Sequence, residues 1–131
     1  MNSDNGNFSA ESFRNAYINF MKTPGSHNDV YAPGAIRHFF KCLAYENLPP
    51  VDCRSDDPGK VDGMDALTVT LPIIIRYSEV DRDTRNKKVV EAINTFRKVK
   101  ETEAISLIVS DMIVSLLHGA SLKDVAQTAA D

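Results

Sequence analysis

Ala66-Leu67-Thr68-Val69-Thr70-Leu71-Pro72-Ile73-Ile74-Ile75 is the stretch on which the fold turns. Its β-branched residues and the alternation of Leu67, Val69 and Leu71 suit a strand. Asp65 stands before it as an N-cap whose carboxylate also suits the positive end of a helix dipole. Pro72 argues against a central strand and would equally kink a helix. Propensity alone leaves the two states level.

The flanking segments are less divided. Ser9 is an N-cap for a first helix, with Phe8 and Phe13 at hydrophobic-staple spacing. Phe13, Ala16, Tyr17 and Phe20 follow at helical intervals, and Thr23-Pro24-Gly25 ends the run. Pro33 suits the first turn of a second helix with the stripe Ile36, Phe39, Phe40 and Leu43. Residues 46–63 hold three prolines, two glycines and five acidic residues, which reads as a long loop. A fourth helix is expected over roughly Arg82 to Val99, with Val89, Val90, Ile93, Phe96 and Val99 on one face and a basic face opposite. A fifth, about Thr102 to His118, has a narrow polar stripe of Glu103, Ser106, Ser110 and Asp111. It is expected to be buried on most sides and to need partners on several. Gly119 reads as its C′ residue, and Ser121 with Asp124 caps a short last helix.

The 131 residues are 43% hydrophobic and 25% charged, values of an ordinary globular domain. Fifteen basic against eighteen acidic residues give a net charge of −3, which disfavours a nucleic-acid or membrane-surface binder. The polar start, Met1 to Asn7, lacks the apolar run of a signal peptide, and no stretch is apolar enough for a membrane span. The cytoplasm is therefore the expected location. Cys42 and Cys53 lack zinc-site spacing and are read as ordinary thiols of a reducing compartment, with a Cys42–Cys53 bridge as the alternative.

Few residues group into chemistry. The three histidines are scattered, and no Gly-x-Ser-x-Gly elbow accompanies the serines. Asp56-Asp57 is a hard-metal pair only by composition. The basic residues Arg82, Arg85, Lys87, Lys88, Arg97, Lys98 and Lys100 alternate with acids and read as a solvated face. The most informative run is Lys60 to Leu67, an acidic, glycine-containing loop leading into a helix N-terminus.

Val61-Asp62-Gly63-Met64-Asp65-Ala66-Leu67-Thr68-Val69-Thr70-Leu71-Pro72 resembles the mid-domain signature of the ADP-ribosylglycohydrolase family, especially its J-type crystallin and selenoprotein J branch. Gly63 and Pro72 fit the signature. Asp62 stands where hydrolytic members carry asparagine, and their Met-Arg pair is replaced near Leu67-Thr68. Asn28-Asp29-Val30-Tyr31-Ala32-Pro33-Gly34 is similar to a substrate-side loop of the family, Tyr31 and Gly34 fitting best. Ile93-Asn94-Thr95-Phe96 falls where many members have a Thr-His pair; Thr95 fits and Phe96 departs.

The resemblance implies an all-α, irregular orthogonal helical bundle, with 1–131 as a single, incomplete domain. It thereby favours helix over strand at 66–77. It implies Mg²⁺-dependent hydrolysis of ADP-ribosyl glycosidic bonds in the intact family. The early Thr-Asp-Asp motif and the late aspartate cluster that hold the ions would fall before Asn7 and after Asp131. No metal and no turnover are therefore expected of this chain. Substrate contacts are expected from Tyr31, Gly34, Asp62, Gly63, Met64 and Asp65, toward ADP-ribose or an ADP-ribosylated protein. A non-catalytic, crystallin-like structural protein and a helical interaction module are the alternatives.

Overall fold

The computed structural model describes residues 7–28, 31–56 and 66–130. Within them the chain is all-α. The helices are α1 (Ala10–Lys22), α2 (Gly34–Tyr45), α3 (Ala66–Arg76), α4 (Arg82–Ile93), α5 (Lys100–Leu117) and α6 (Leu122–Ala130).

The divided stretch is α3, helical straight through Pro72. Packing overrides propensity here: Ile73, Ile74 and, just beyond the helix, Tyr77 are buried against Val89 and Ala92 of α4 and Val114 of α5. The exposed Pro72 forfeits one backbone bond on the outer side, where water can serve the freed carbonyl. Thr70, fully buried, returns its hydroxyl to the Leu67 carbonyl at 2.7 Å.

The helix ends follow their capping residues. Ser9 accepts from the Ser12 N–H at 3.3 Å, and the Phe8 and Phe13 rings stand 6.1 Å apart as the staple requires. Asp81 caps α4, accepting from the Thr84 N–H at 2.9 Å. That backbone bond and the Thr84 hydroxyl hold its carboxyl below the usual range. The cap's stabilisation is therefore present at neutral pH and is lost as pH falls through that lowered value. Gly119, at φ +90°, ends α5 in a Schellman turn: its N–H bonds Leu116 O and the Ala120 N–H bonds Ser115 O, both at 3.0 Å. Ser121 and Asp124 cap α6 reciprocally, Asp124 N–H donating to Ser121 Oγ at 3.2 Å.

Several expectations are corrected. Cys42 and Cys53 are joined as a disulfide, not left as thiols. The bond ties the end of α2 to the 47–56 loop, and both residues are buried beside Phe39 and Phe96. The fourth helix stops at Ile93 rather than Val99, because the chain turns at Asn94 and Thr95. Phe96 and Val99 are buried all the same, from a non-helical segment. On α1 the inward residue is Arg14, while Ala16 and Phe20 face outward.

The largest correction concerns α5. Its serines are its buried face: Ser106 and Ser110 are 0% exposed, whereas Ile105 and Ile108 are 43% and 50% exposed. Small residues let α5 approach α4 closely, and their hydroxyls are satisfied. Ser106 donates to Thr102 O at 2.7 Å, and Ser110 accepts from Arg85 Nε at 3.1 Å. Arg85, expected on a solvated face, is buried and reaches Asp111 at 2.6 Å, with Arg82 on the outer side of the same carboxylate. Enlarging Ser106 to leucine should destabilise the fold by ~1–3 kcal/mol, while Ile108→Ser should stay within about 0.5 kcal/mol. Urea denaturation of the two variants checks this ordering, which is the reverse of a hydrophobic-inside assignment.

Candidate functional site

Segment 94–97 organises the region where the sequence motifs meet. It forms an isolated parallel bridge with the 47–56 loop: Ser55 N–H donates to Phe96 O at 3.2 Å and Lys98 N–H to Ser55 O at 2.8 Å. The disulfide anchors that loop two residues earlier. Phe96 is thereby driven into an aromatic cluster, its ring centroid 4.9 Å from Tyr17, 5.1 Å from Phe39 and 6.0 Å from Phe13.

Above this cluster lies a cavity of about 240 Å³. Phe13 and Tyr17 of α1, Pro33 and Ile36 at the start of α2, Thr68 and Val69 of α3, and Ala92, Ile93, Phe96 and Arg97 on the far side contribute to its walls. The aromatic rings make it largely apolar, with Tyr17, Thr68 and Arg97 as polar points. Burial pushes the Tyr17 phenol above its ordinary value, so it is a neutral hydrogen-bonding group at pH 7.

Of the residues expected to contact a substrate, Asp62, Gly63, Met64 and Asp65 lie outside the described residues. Tyr31 is 69% exposed, with the Arg37 guanidinium 6.0 Å from its ring centroid. Arg37 in turn donates to Ala32 O at 2.7 Å and so fixes the approach to α2. Gly34 is the first residue of α2. Neither Tyr31 nor Gly34 lines the cavity; their neighbours Pro33 and Ile36 do. The reading of the sequence placed Phe13, Tyr17 and Ile36 only in the core and Arg97 only on a solvated face. The i, i+4 spacing of Phe13 and Tyr17 signals a shared face, but nothing local signals that Phe96 would meet it.

A larger cavity, about 340 Å³, lies between α5 and α6 and includes Arg82, Asp111, Met112, Asp124 and Val125. Its charges answer one another or a cap: Arg82 pairs with Asp111, and Asp124 serves Ser121. Among the described residues, none of 31–34, 66–72 or 93–96 lines it.

Among the described residues the donor set of the smaller cavity does not suit Mg²⁺, which takes carboxylate and carbonyl oxygens and repels a guanidinium neighbour. Among the described residues no three His, Cys, Asp or Glu side chains come together in a way that could hold a metal. No helix among them is long and apolar enough to cross a membrane. No known family, curated protein or solved structure matches the chain.

Proposed function

We propose that the chain is an ADP-ribosylglycohydrolase-like helical unit whose 240 Å³ cavity forms one wall of a site for the ADP-ribosyl group. The single observation that carries this is convergence. Three segments far apart in sequence resemble the family, and each puts residues into the same cavity: Pro33 from the first, Thr68 and Val69 from the second, Ile93 and Phe96 from the third. Drug-sized ligands occupy pockets of roughly 300–1,000 Å³. A 240 Å³ cavity therefore takes one part of such a ligand, a planar base or a sugar, and leaves the rest outside. Aromatic walls from Phe13, Tyr17 and Phe96 suit the flat face of a base.

The unit binds and does not hydrolyse in this reading. Hydrolysis of the glycosidic bond needs an activated water and charge stabilisation, and among the described residues the lining offers a neutral phenol, one threonine and one arginine. Incubation with an ADP-ribosylated protein and Mg²⁺ should release no ADP-ribose. Release above the no-protein control would refute the non-hydrolytic part of the proposal.

One observation favours a second reading, a non-catalytic crystallin-like structural protein. Phe96, where many family members have a polar residue, is a core aromatic with three ring neighbours. On that reading the cavity is a packing defect, and ADP-ribose titrated by calorimetry gives no heat of binding.

A further inference from the structure

Tyr17 shares its aromatic cluster with Phe13, Phe39, Phe40 and Phe96, and among these rings it alone carries a hydroxyl. Its centroid stands 4.9 Å from Phe96, 6.3 Å from Phe40 and 6.4 Å from Phe13. Three neighbours fix the ring in place, and a phenylalanine would meet them equally well. The hydroxyl is therefore the one group of this side chain that the packing does not call for. Tyr17 is half-buried, and among the described residues its hydroxyl makes no hydrogen bond. Tyr77 offers the contrast, since its hydroxyl accepts from the Phe8 N–H at 2.9 Å. A tyrosine hydroxyl in apolar surroundings usually has such a partner.

Tyr17 lines the 240 Å³ cavity together with Phe13 and Phe96 of the same cluster. What suits that place is decided by how the polar atoms of an occupant would be served. A ribose is ringed by hydroxyls, and each one turned toward an aromatic wall gives up water without gaining a partner. A phosphate would lose more, because its charge would leave water for a lining with a single described cation, Arg97. A planar heteroaromatic base differs. Its two faces lie well against rings, and its polar atoms point outward in one plane. Such an edge asks for few partners. A neutral phenol meets that need, because it donates to a ring nitrogen or accepts from an exocyclic N–H.

We infer that the cavity takes the base of the ADP-ribosyl group and that the Tyr17 hydroxyl is its specificity-determining contact, hydrogen-bonded to the edge of the base. This inference rests on the ADP-ribosyl reading. The rings of Phe13 and Phe96 supply apolar contact for the base, and the ribose and phosphates stay at the mouth. Tyr17 is a binding residue here and takes no part in bond breaking.

The test is calorimetric titration of the whole chain with ADP-ribose, adenosine and ribose 5-phosphate. It is run on the unsubstituted protein, on Tyr17→Phe, and on Tyr45→Phe as a control at an exposed residue that lines neither cavity. The expected result is saturable binding of ADP-ribose and adenosine and none of ribose 5-phosphate at the same concentrations. Tyr17→Phe should weaken both ligands about five- to tenfold, the loss of one hydrogen bond. Its melting temperature should stay within about 2 °C of the unsubstituted protein, and Tyr45→Phe should change neither quantity. A purely structural tyrosine would instead shift the melt and leave the affinity for adenosine unchanged. ADP-ribose bound without adenosine, ribose 5-phosphate bound as tightly as adenosine, or equal affinity in Tyr17→Phe overturns the inference and leaves the ADP-ribosyl reading standing. Tyr17-dependent binding of adenosine without ADP-ribose removes that reading and keeps the base site. Binding of neither overturns both. Should Tyr17→Phe fail to melt cooperatively, adenosine is titrated into the unsubstituted protein labelled at its tyrosines. The Tyr17 ring signals should then shift on nuclear magnetic resonance while those of Tyr45 stay still, and unmoved Tyr17 signals overturn the inference.

Discussion

Replacing Phe96 by alanine should cost about 3–5 kcal/mol of stability. The side chain is 5% exposed and meets Phe13, Tyr17 and Phe39 ring to ring, so its removal leaves a void that three aromatic neighbours cannot close without breaking other contacts. A loss of that size is a large fraction of what a domain possesses. It should lower the melting temperature by roughly 10–20 °C for a chain of this length. Phe96→Leu keeps most of the apolar volume and should cost distinctly less. Thermal melts followed by circular dichroism check both. A Phe96→Ala variant that melts within about 2 °C of the unsubstituted protein would show that the aromatic cluster is not a core.

The second large effect belongs to the disulfide. Cys42 and Cys53 are eleven residues apart, and closing a loop of that size removes unfolded-state entropy worth about 3 kcal/mol. Cys42→Ala and Cys53→Ala should each lose that amount, together with the lesser cost of a truncated buried side chain. The double variant should lose little more than either single one, because either substitution alone breaks the bond. Two unbonded thiols would instead give additive losses and a stability indifferent to reductant. The bond also holds Arg54 and Ser55 against the 94–98 segment, so its loss should loosen the side of the cavity that Phe96 and Arg97 form.

How much of this was open to a reader of the sequence depended on whether the signal was local. Caps are local: Ser9, Ser121 and Gly119 act within a turn of where they stand, and each does what its residue type allows. The identity of α3 was not local, since β-branched residues and Pro72 leave it balanced until Ile73 and Ile74 find α4 and α5. The face of α5 misled for a physical reason. Hydrophobic patterning assumes that apolar residues face inward, whereas close approach to α4 selects serine there and leaves Ile105 and Ile108 outside. The end of α4 misled similarly. Val99 and Phe96 continue an apolar stripe, yet they are buried by a turn and an extended segment pinned to Ser55. The cavity is the least legible feature, because it is assembled from four segments and two of its aromatic walls look like ordinary core.

The proposed ligand-binding wall draws on Pro33, Ile36, Thr68, Val69, Ile93 and Phe96. Its most direct test is titration of isotopically labelled protein with ADP-ribose, followed by nuclear magnetic resonance of the backbone amides and side-chain methyls. Saturable shifts are expected on Ile36, Thr68, Val69, Ile93 and Phe96, with Ile105 and Leu122 on exposed α5 and α6 surfaces unmoved. Shifts absent at millimolar ADP-ribose, or confined to the α5–α6 cavity around Met112 and Val125, would contradict it.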